Sequence, residues 1–408
     1  MKLIFKNLLI VFFYPLKYLI PKGRIVLLGT NSPYHYSGNT RYLYEYLRNN
    51  LDAEVFWHTE CTHIKKYLNT KGMRYISISN PLYFIWILLR TKVVINDGDA
   101  YINTFKIIDN LFTSKINTGH GSNAKFALYN FKGIITIKEQ IARLQKFNYI
   151  NVASPYIIKS FIDMYLVNKN QMIAYGYPRC DQFFEKGLME KIYLTKSIAR
   201  SLDSKIDKNT RIILYTPTWR PYEYNLPILD VLDFDPKDFN DYLDKNNYYF
   251  FYTVHSGNKP TKLLKNYTRI KYIDRNVYPL FDINSFMIES DILLNDYSAT
   301  TTDYSLLNKA QLFCMPDYEY YWGHKNMKFM KDGDTDMSLA GYREAIPGDE
   351  VKNYDSFKLK LKYIIENYNS YRDEHREKNN IILSKYFDIK KSDSCKRFKN
   401  LLEEILGN

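Results

Sequence analysis

The chain has 408 residues, 46% of them hydrophobic, a formal charge of +13 and four well-separated cysteines. That length exceeds one ordinary domain and predicts two α/β domains of roughly 150–200 residues each. The cysteine spacing, without a CxxC, suggests neither a disulfide framework nor a zinc site, and the positive charge suggests an anionic partner, with nucleic acid last among the candidates for want of a nucleic-acid-binding signature.

The first 22 residues carry a wholly apolar run, Leu8 to Tyr14, broken at Pro15 and flanked by Lys2, Lys6, Lys17 and Lys22. The run is shorter than the roughly 20 residues that span a bilayer. It reads as an amphipathic segment, 1–22, lying on an anionic membrane surface, with a helix packed on the protein's own body as the alternative. Arg24 to Leu28 reads as a strand, with Gly29 opening the loop after it and Asn39 leading into a helix from Thr40 to Arg48. Glu54 to His58 is a second strand. His58, Cys61 and His63 lie close together but lack a fourth ligand, so a metal site is not expected. Pro81 to Arg90, PLYFIWILLR, is a helix apolar all round; burial is the expectation and a second membrane contact the alternative. Lys92 to Ile95 is a third strand.

A short strand then ends at Thr118-Gly119-His120-Gly121-Ser122. A lone histidine between glycines in a loop has little packing role, and glycines let a ligand approach the backbone closely. Tyr149 to Val152 is a strand and Pro155 to Tyr165 a helix; Tyr175-Gly176-Tyr177-Pro178-Arg179-Cys180-Asp181 is a turn whose arginine reaches phosphate or pairs with Asp181. The polar stretch Lys196 to Thr210 takes the domain boundary. Arg211 to Tyr215 starts the second domain as a strand and runs into Thr216-Pro217-Thr218-Trp219-Arg220. Tyr248 to Val254 is a strand ending at His255, and Ile270 to Ile273 another.

The stretch from Phe281 to Met315 reads helix, strand, loop, helix, strand. Asp282 caps the first helix, and Ile292-Leu293-Leu294 is a buried parallel strand. Asp296-Tyr297-Ser298-Ala299-Thr300-Thr301-Thr302-Asp303 then opens a helix with hydroxyls, an arrangement suited to a diphosphate at the carboxyl end of a strand. A capped helix without a ligand is the plain alternative. Asp332-Gly333-Asp334 reads as a turn, and Tyr354 to Phe387 as helical, packing across both domains.

These blocks resemble the CDP-glycerol (or CDP-ribitol) glycerophosphotransferase family of teichoic acid and capsule synthesis. The resemblance rests on Asn39 to Leu47, Gly119-His120-Gly121, Gly176 to Asp181, Thr216 to Arg220, His255, and the Asp282-Ile283-Asn284 and Asp296-Tyr297-Ser298 block with Asp303-Tyr304. The sequence departs from the family pattern at Gly119, Thr253 and Ala299.

The resemblance implies an α/β fold of two Rossmann-like domains facing a cleft, of GT-B type: an acceptor domain over 23–200, a CDP-donor domain over 201–375, and a helical segment, 376–408, packing back on the first. It implies transfer of glycerol phosphate or ribitol phosphate from CDP-glycerol or CDP-ribitol, releasing CMP. The acceptor would be a lipid-linked saccharide or a polyol-phosphate polymer at the cytoplasmic face of the membrane. His120 would be the general base and His255 would hold the phosphate or protonate the leaving group. Arg179, Thr218, Arg220, Asp296, Ser298, Thr300 and Thr301 would bind the donor, with Asp303 toward its ribose. Gly29, Asn39, Gly121 and Ser122 would line the acceptor side. No metal, no cofactor and no nucleic-acid partner are implied. A GT-B glycosyltransferase using a nucleotide sugar and a non-catalytic binding protein of the same fold remain alternatives.

Overall fold

The computed structural model describes residues 16, 18–98, 114–121, 127–129, 137–218, 233–254, 267–275, 277–319, 327–329, 343, 346–387 and 393–407. They form two compact units. One takes the described residues of 1–120, 138–181 and 390–408; the other takes those of 121–137 and 182–389.

The first unit is built on β1 (Ile25–Gly29), β2 (Glu54–His58), β3 (Tyr75–Ile76), β4 (Val93–Asn96), β5 (Ser114–Asn117), β7 (Tyr149–Asn151) and β8 (Met172–Ile173); β6 (Ala127–Tyr129) belongs to the second unit. The seven strands are parallel in the order β3-β2-β1-β4-β5-β7-β8. Strand order reverses at β1/β4, the crossover pattern of a doubly wound sheet. Apolar runs such as IVLLG are buried along their whole length because both faces are covered. The connections supply α1 (Gly38–Asn50), α2 (Thr62–Thr70), α3 (Pro81–Arg90), α4 (Ile137–Leu144) and α5 (Tyr156–Tyr165). Tyr44 of α1 meets Trp57 with ring centroids 5.7 Å apart, and Tyr36 meets the same indole at 4.8 Å. On the opposite face Phe84, Ile87 and Leu88 of α3 close a cluster with Ile25, Leu27 and Phe56.

Helix α3 keeps the bounds read from the sequence, because Asn80 caps it and Pro81 fits its first turn. Its burial is one-sided. Leu82 is 74% exposed and Trp86 46%. Of segment 1–22, residues 1–15 and 17 lie outside the described residues. Leu16 and Ile20 pack on the α3 cluster, while Tyr18 and Leu19 face outward. Among the described residues no helix is long and apolar enough to cross a membrane.

The second unit repeats the plan. α6 (Lys186–Thr195) and α7 (Ser197–Leu202) precede β9 (Arg211–Tyr215), α8 (Pro236–Lys245), β10 (Tyr248–Tyr252), β11 (Ile270–Tyr272), α9 (Ile283–Glu289), β12 (Ile292–Asn295), α10 (Thr300–Ser305) and β13 (Ala310–Cys314). β14 (Met327–Phe329) pairs antiparallel with β6, and β15 (Asp349–Val351) closes the main sheet. Its six strands are parallel in the order β11-β10-β9-β12-β13-β15, reversing at β9/β12. Phe239, Phe250, Phe357, Leu361 and Ile292 centre its core. Helices α11 (Tyr354–Glu366), α12 (Tyr368–Glu374) and α13 (Arg376–Tyr386) stay on this unit; Asn379 of α13 donates to the Ser305 carbonyl at the end of α10, at 3.1 Å.

Two expectations change. The units divide at Asp181/Gln182, not within Lys196–Thr210. Lys196 is fully buried, its Nζ donating to the Glu289 carbonyl at 2.6 Å, and α6 and α7 pack on α9 of the second unit. The helices from 354 to 387 belong to the second unit, and among the described residues of segment 376–408 it is α14 (Ser394–Leu406) that belongs to the first. It lies on α1, and the Asp181 carboxylate accepts from the Ser394 and Cys395 amides at 3.2 and 2.9 Å. A carboxylate there satisfies helix-start N–H groups that would otherwise be orphaned.

Candidate active site

Each unit presents a polar cluster at the carboxyl ends of its own strands, next to the point where strand order reverses. In the first unit the chain leaves β5 at Asn117 and turns through Thr118 and Gly119 to His120. Gly119 has φ +74°; a Cβ there would lie 2.8 Å from the Asn151 carbonyl oxygen and 2.9 Å from the Tyr177 ring. Glycine is therefore required twice, by the left-handed backbone and by the close approach. His120 itself is exposed, while Thr118 beneath it is fully buried.

Two residues read as ligand contacts, Asn39 and Arg179, are built into this loop's support. Gly29 ends β1 inside the sheet, opposite Asn96. Asn39 is fully buried at the start of α1, its Nδ2 donating to the Thr118 and Gly119 carbonyls at 3.2 and 2.8 Å. Arg179 is 5% exposed; its Nη1 donates to the His120 carbonyl at 3.1 Å, and its guanidinium lies 4.5 Å from the Tyr177 ring centroid. Gly121 follows His120; Ser122 lies outside the described residues.

In the second unit the cluster gathers around the ends of β9 and β12. The Asp296 carboxylate is fully buried and accepts the Thr218 amide on both oxygens at 3.0 Å. It thus fixes the backbone at Thr218; Trp219, Arg220 and His255 lie outside the described residues. Asn295 donates from Nδ2 to the Thr300 and Thr301 hydroxyls at 3.1 and 2.6 Å. Thr300 also shares a hydrogen bond of 2.9 Å with Thr216 across the strand-order reversal. Thr301 and Asp303 are buried; Ser298 and Thr300 are only half-buried. The hydroxyl run does open a helix, but α10 has six residues and no side-chain cap, so its dipole is weaker than a long helix would supply. The half-buried hydroxyls are the groups able to meet a ligand; Asn295 braces Thr300 directly, and the Thr301 amide donates to the Ser298 carbonyl at 3.1 Å.

Sequence reasoning missed the asparagines. β4, β5, β7 and β12 end in Asn96, Asn117, Asn151 and Asn295, as VVIN, SKIN, YIN and ILLN. An amide closing four buried strands was visible in the sequence as a recurring ending. The His58, Cys61, His63 group has a plainer occupation: His58 Nε2 lies 3.3 Å from Glu60 Oε1. Burial pushes the Glu60 carboxyl up, but His58, the Ile78 amide and Ser77 outweigh it and bring its pKa down to about 2.

A model of the family CDP-glycerol:poly(glycerophosphate) glycerophosphotransferase matches residues 12–404. The chain belongs to that family. It is 27% identical over 325 residues to the teichoic acid glycerol-phosphate primase of Bacillus subtilis (strain 168), covering 74% of this chain and 76% of the relative. It is 24% identical over 375 residues to the teichoic acid glycerol-phosphate transferase of Staphylococcus aureus, covering 86% and 87%. Among solved structures, the wall teichoic acid polymerase TagF aligns with TM-score 0.70 at 17% identity, covering 96% of this transferase and 92% of TagF. The MnaA–UDP structure from S. aureus aligns with TM-score 0.52 at 14% identity, covering 94% and 96%. Both structural likenesses speak for the fold: parallel α/β sheets.

Proposed function

We propose that this enzyme transfers glycerol phosphate or ribitol phosphate from a CDP-activated donor to a hydroxyl of a lipid-linked or polymeric acceptor in teichoic acid or capsule synthesis. The acceptor oxygen bonds to the polyol-bearing phosphorus, the bond from that phosphorus to the bridging oxygen breaks, and CMP leaves. His120 takes the acceptor's proton. Ser298 and Thr300 donate to the diphosphate; Thr218, whose amide Asp296 already holds, adds its hydroxyl, and Arg220 adds guanidinium donors. His255 holds the phosphate or protonates the leaving CMP. The observation that carries this reading is the place of the Asp296–Ser298 block at the β9/β12 reversal of strand order, where parallel sheets bind nucleotides.

Replacing Ser298 and Thr300 together by alanine is expected to weaken donor binding, at about 0.5–1.5 kcal/mol per hydroxyl bond. Titration calorimetry with CDP-glycerol and CDP-ribitol measures it, with a UDP-sugar as the competing donor. Unchanged affinity in a folded variant takes this loop out of the donor site; tighter binding of the UDP-sugar favours a glycosyltransferase.

We further propose that the enzyme works at the cytoplasmic face of an anionic membrane, and that the outer side of α3 joins segment 1–22 in the contact. Leu82, Tyr83 and Trp86 face outward there, Tyr18 and Leu19 are exposed, and Arg90 lies 5.3 Å from the Trp86 ring centroid. Apolar side chains beside basic ones suit an interfacial surface. Leu82→Asp and Trp86→Asp should each reduce binding to anionic vesicles roughly tenfold, since a buried side chain of that size contributes ~1.5 kcal/mol or more. Sedimentation with vesicles checks it; undiminished binding places the contact elsewhere.

A further inference from the structure

We propose that Asn39, Asn151 and Arg179 are positioning residues that fix the His120 imidazole by capturing three consecutive backbone carbonyls. The inference rests on reading His120 as the general base. The Thr118 amide makes the last bond to β4, donating to the Asn96 carbonyl at 2.8 Å; the carbonyls that follow lie in a loop, where such groups ordinarily bond to water. Here buried side chains take all three. The Thr118 carbonyl accepts from Asn39 at 3.2 Å and from Asn151 at 3.0 Å. The Gly119 carbonyl accepts from Asn39 at 2.8 Å, and the His120 carbonyl from Arg179 at 3.1 Å. The Gly119 amide donates to Asn117 Oδ1 at 2.7 Å.

The donors come from three separate elements, and they are tied to one another. Asn39 Oδ1 accepts the Arg179 amide at 3.4 Å. Asn151 donates to the Gly176 carbonyl at 2.7 Å and accepts the Tyr175 amide at 2.9 Å, so the same amide grips the turn that carries Arg179. Asn39, Asn117, Thr118, Asn151 and Arg179 are all at most 5% exposed, while the residue they surround, His120, is exposed. Burying amides and a guanidinium is costly unless every group is matched. A connecting loop gains nothing from such over-determination. A proton acceptor does, because a misplacement of about 1 Å can cost on the order of 10²-fold in rate.

Asn39→Ala, Asn151→Ala and Arg179→Lys, made in the full chain, separate the possibilities. The lysine keeps the charge and loses the fixed fork. We expect each to lower kcat by roughly 10-fold to 10²-fold with the KM for CDP-glycerol changed less than about twofold. In a His120→Ala background the same substitutions should cause little further loss, since they act through the missing imidazole. Folding is read from the circular dichroism melt; should an asparagine variant fail to fold, Arg179→Lys carries the test alone. Wild-type kcat in a folded Arg179→Lys or asparagine variant overturns the proposal, as does a loss that multiplies with that of His120→Ala. A raised donor KM with unchanged kcat in Arg179→Lys puts Arg179 on the donor instead. If His120→Ala itself turns over normally, the reading of the base fails and the scaffold with it; if it is impaired and the others are not, the scaffold alone fails.

Discussion

His120→Ala is expected to lower kcat by about 10²–10⁴-fold while leaving donor affinity near the wild-type value. The side chain stands exposed at the end of β5, on a loop whose backbone admits no side chain at Gly119 and whose carbonyls are held from below. That combination, a fixed backbone under an accessible imidazole, suits a group that must accept a proton from a hydroxyl as it attacks phosphorus. Imidazole also changes charge nearest neutral pH. The pH–rate profile of the intact enzyme should rise on a limb set by the free base, and the alanine variant should lose that limb. If His120 is merely a polar loop residue, the variant turns over almost normally and its profile keeps the same rise.

Asp291→Ala should be the most destabilising single change, at about 3–5 kcal/mol, because it leaves buried positive charge uncompensated. Asp291 is 3% exposed and begins the segment into β12. Its Oδ1 accepts from the Tyr193 hydroxyl and Arg211 Nη1, each at 2.7 Å, and its Oδ2 from the Ile212 amide at 2.9 Å. Lys196 Nζ lies 3.6 Å from Oδ2 and is itself fully buried. Nearby, Lys309 donates to the Ile288 and Ser290 carbonyls at 2.7 and 2.6 Å, and burial lowers its pKa to about 7. Glu289 accepts the Ile198 and Ala199 amides at 2.9 Å. One carboxylate therefore joins the starts of β9 and β12 to α6, and its neighbours bind α7 to α9.

The pH dependence follows from the direction of the Asp291 shift. Burial pushes its carboxyl up, but Lys196, Tyr193, Lys309 and the Ile212 amide prevail and hold it below the usual carboxylate range. A folded-state pKa depressed in this way contributes stability that is complete above the unfolded value, about 3.9, and is lost as pH falls through the folded value. Glu289, raised by burial, has the opposite sign, so the comparison belongs between wild type and Asp291→Ala rather than in the wild type alone. The gap between their denaturation midpoints should be full near neutral pH and narrow in acid. A variant as stable as wild type at neutral pH would show that the carboxylate does not hold this network.

Local signals made much of the fold legible. Arg211–Tyr215 and Pro81–Arg90 have the bounds their sequence suggests, one a continuous apolar run and the other a capped apolar helix. The β9/β12 cluster was legible too, because its hydroxyls and aspartates sit together within Asp296 to Asp303, though Asn295 beside them was not singled out. What escaped was set by distance in the chain. Lys196 reads as surface charge until it meets Glu289 and Asp291, 93 residues further on in the first case. Pairing of β6 with β14 joins segments near Ala127 and Phe329 that carry no shared local pattern. Asn39 and Arg179 resembled ligand contacts because they stand in the right blocks; their hydrogen bonds to the His120 loop depend on contacts across 59 to 80 residues, which no spacing rule encodes.

The most direct test of the account is a donor screen read by product mass together with nucleotide release. With CDP-glycerol or CDP-ribitol and a polyol-phosphate or lipid-linked acceptor, the enzyme should release one CMP for each polyol-phosphate unit added to the acceptor. Addition of a sugar from a nucleotide sugar, with both CDP-polyols left intact, would contradict it.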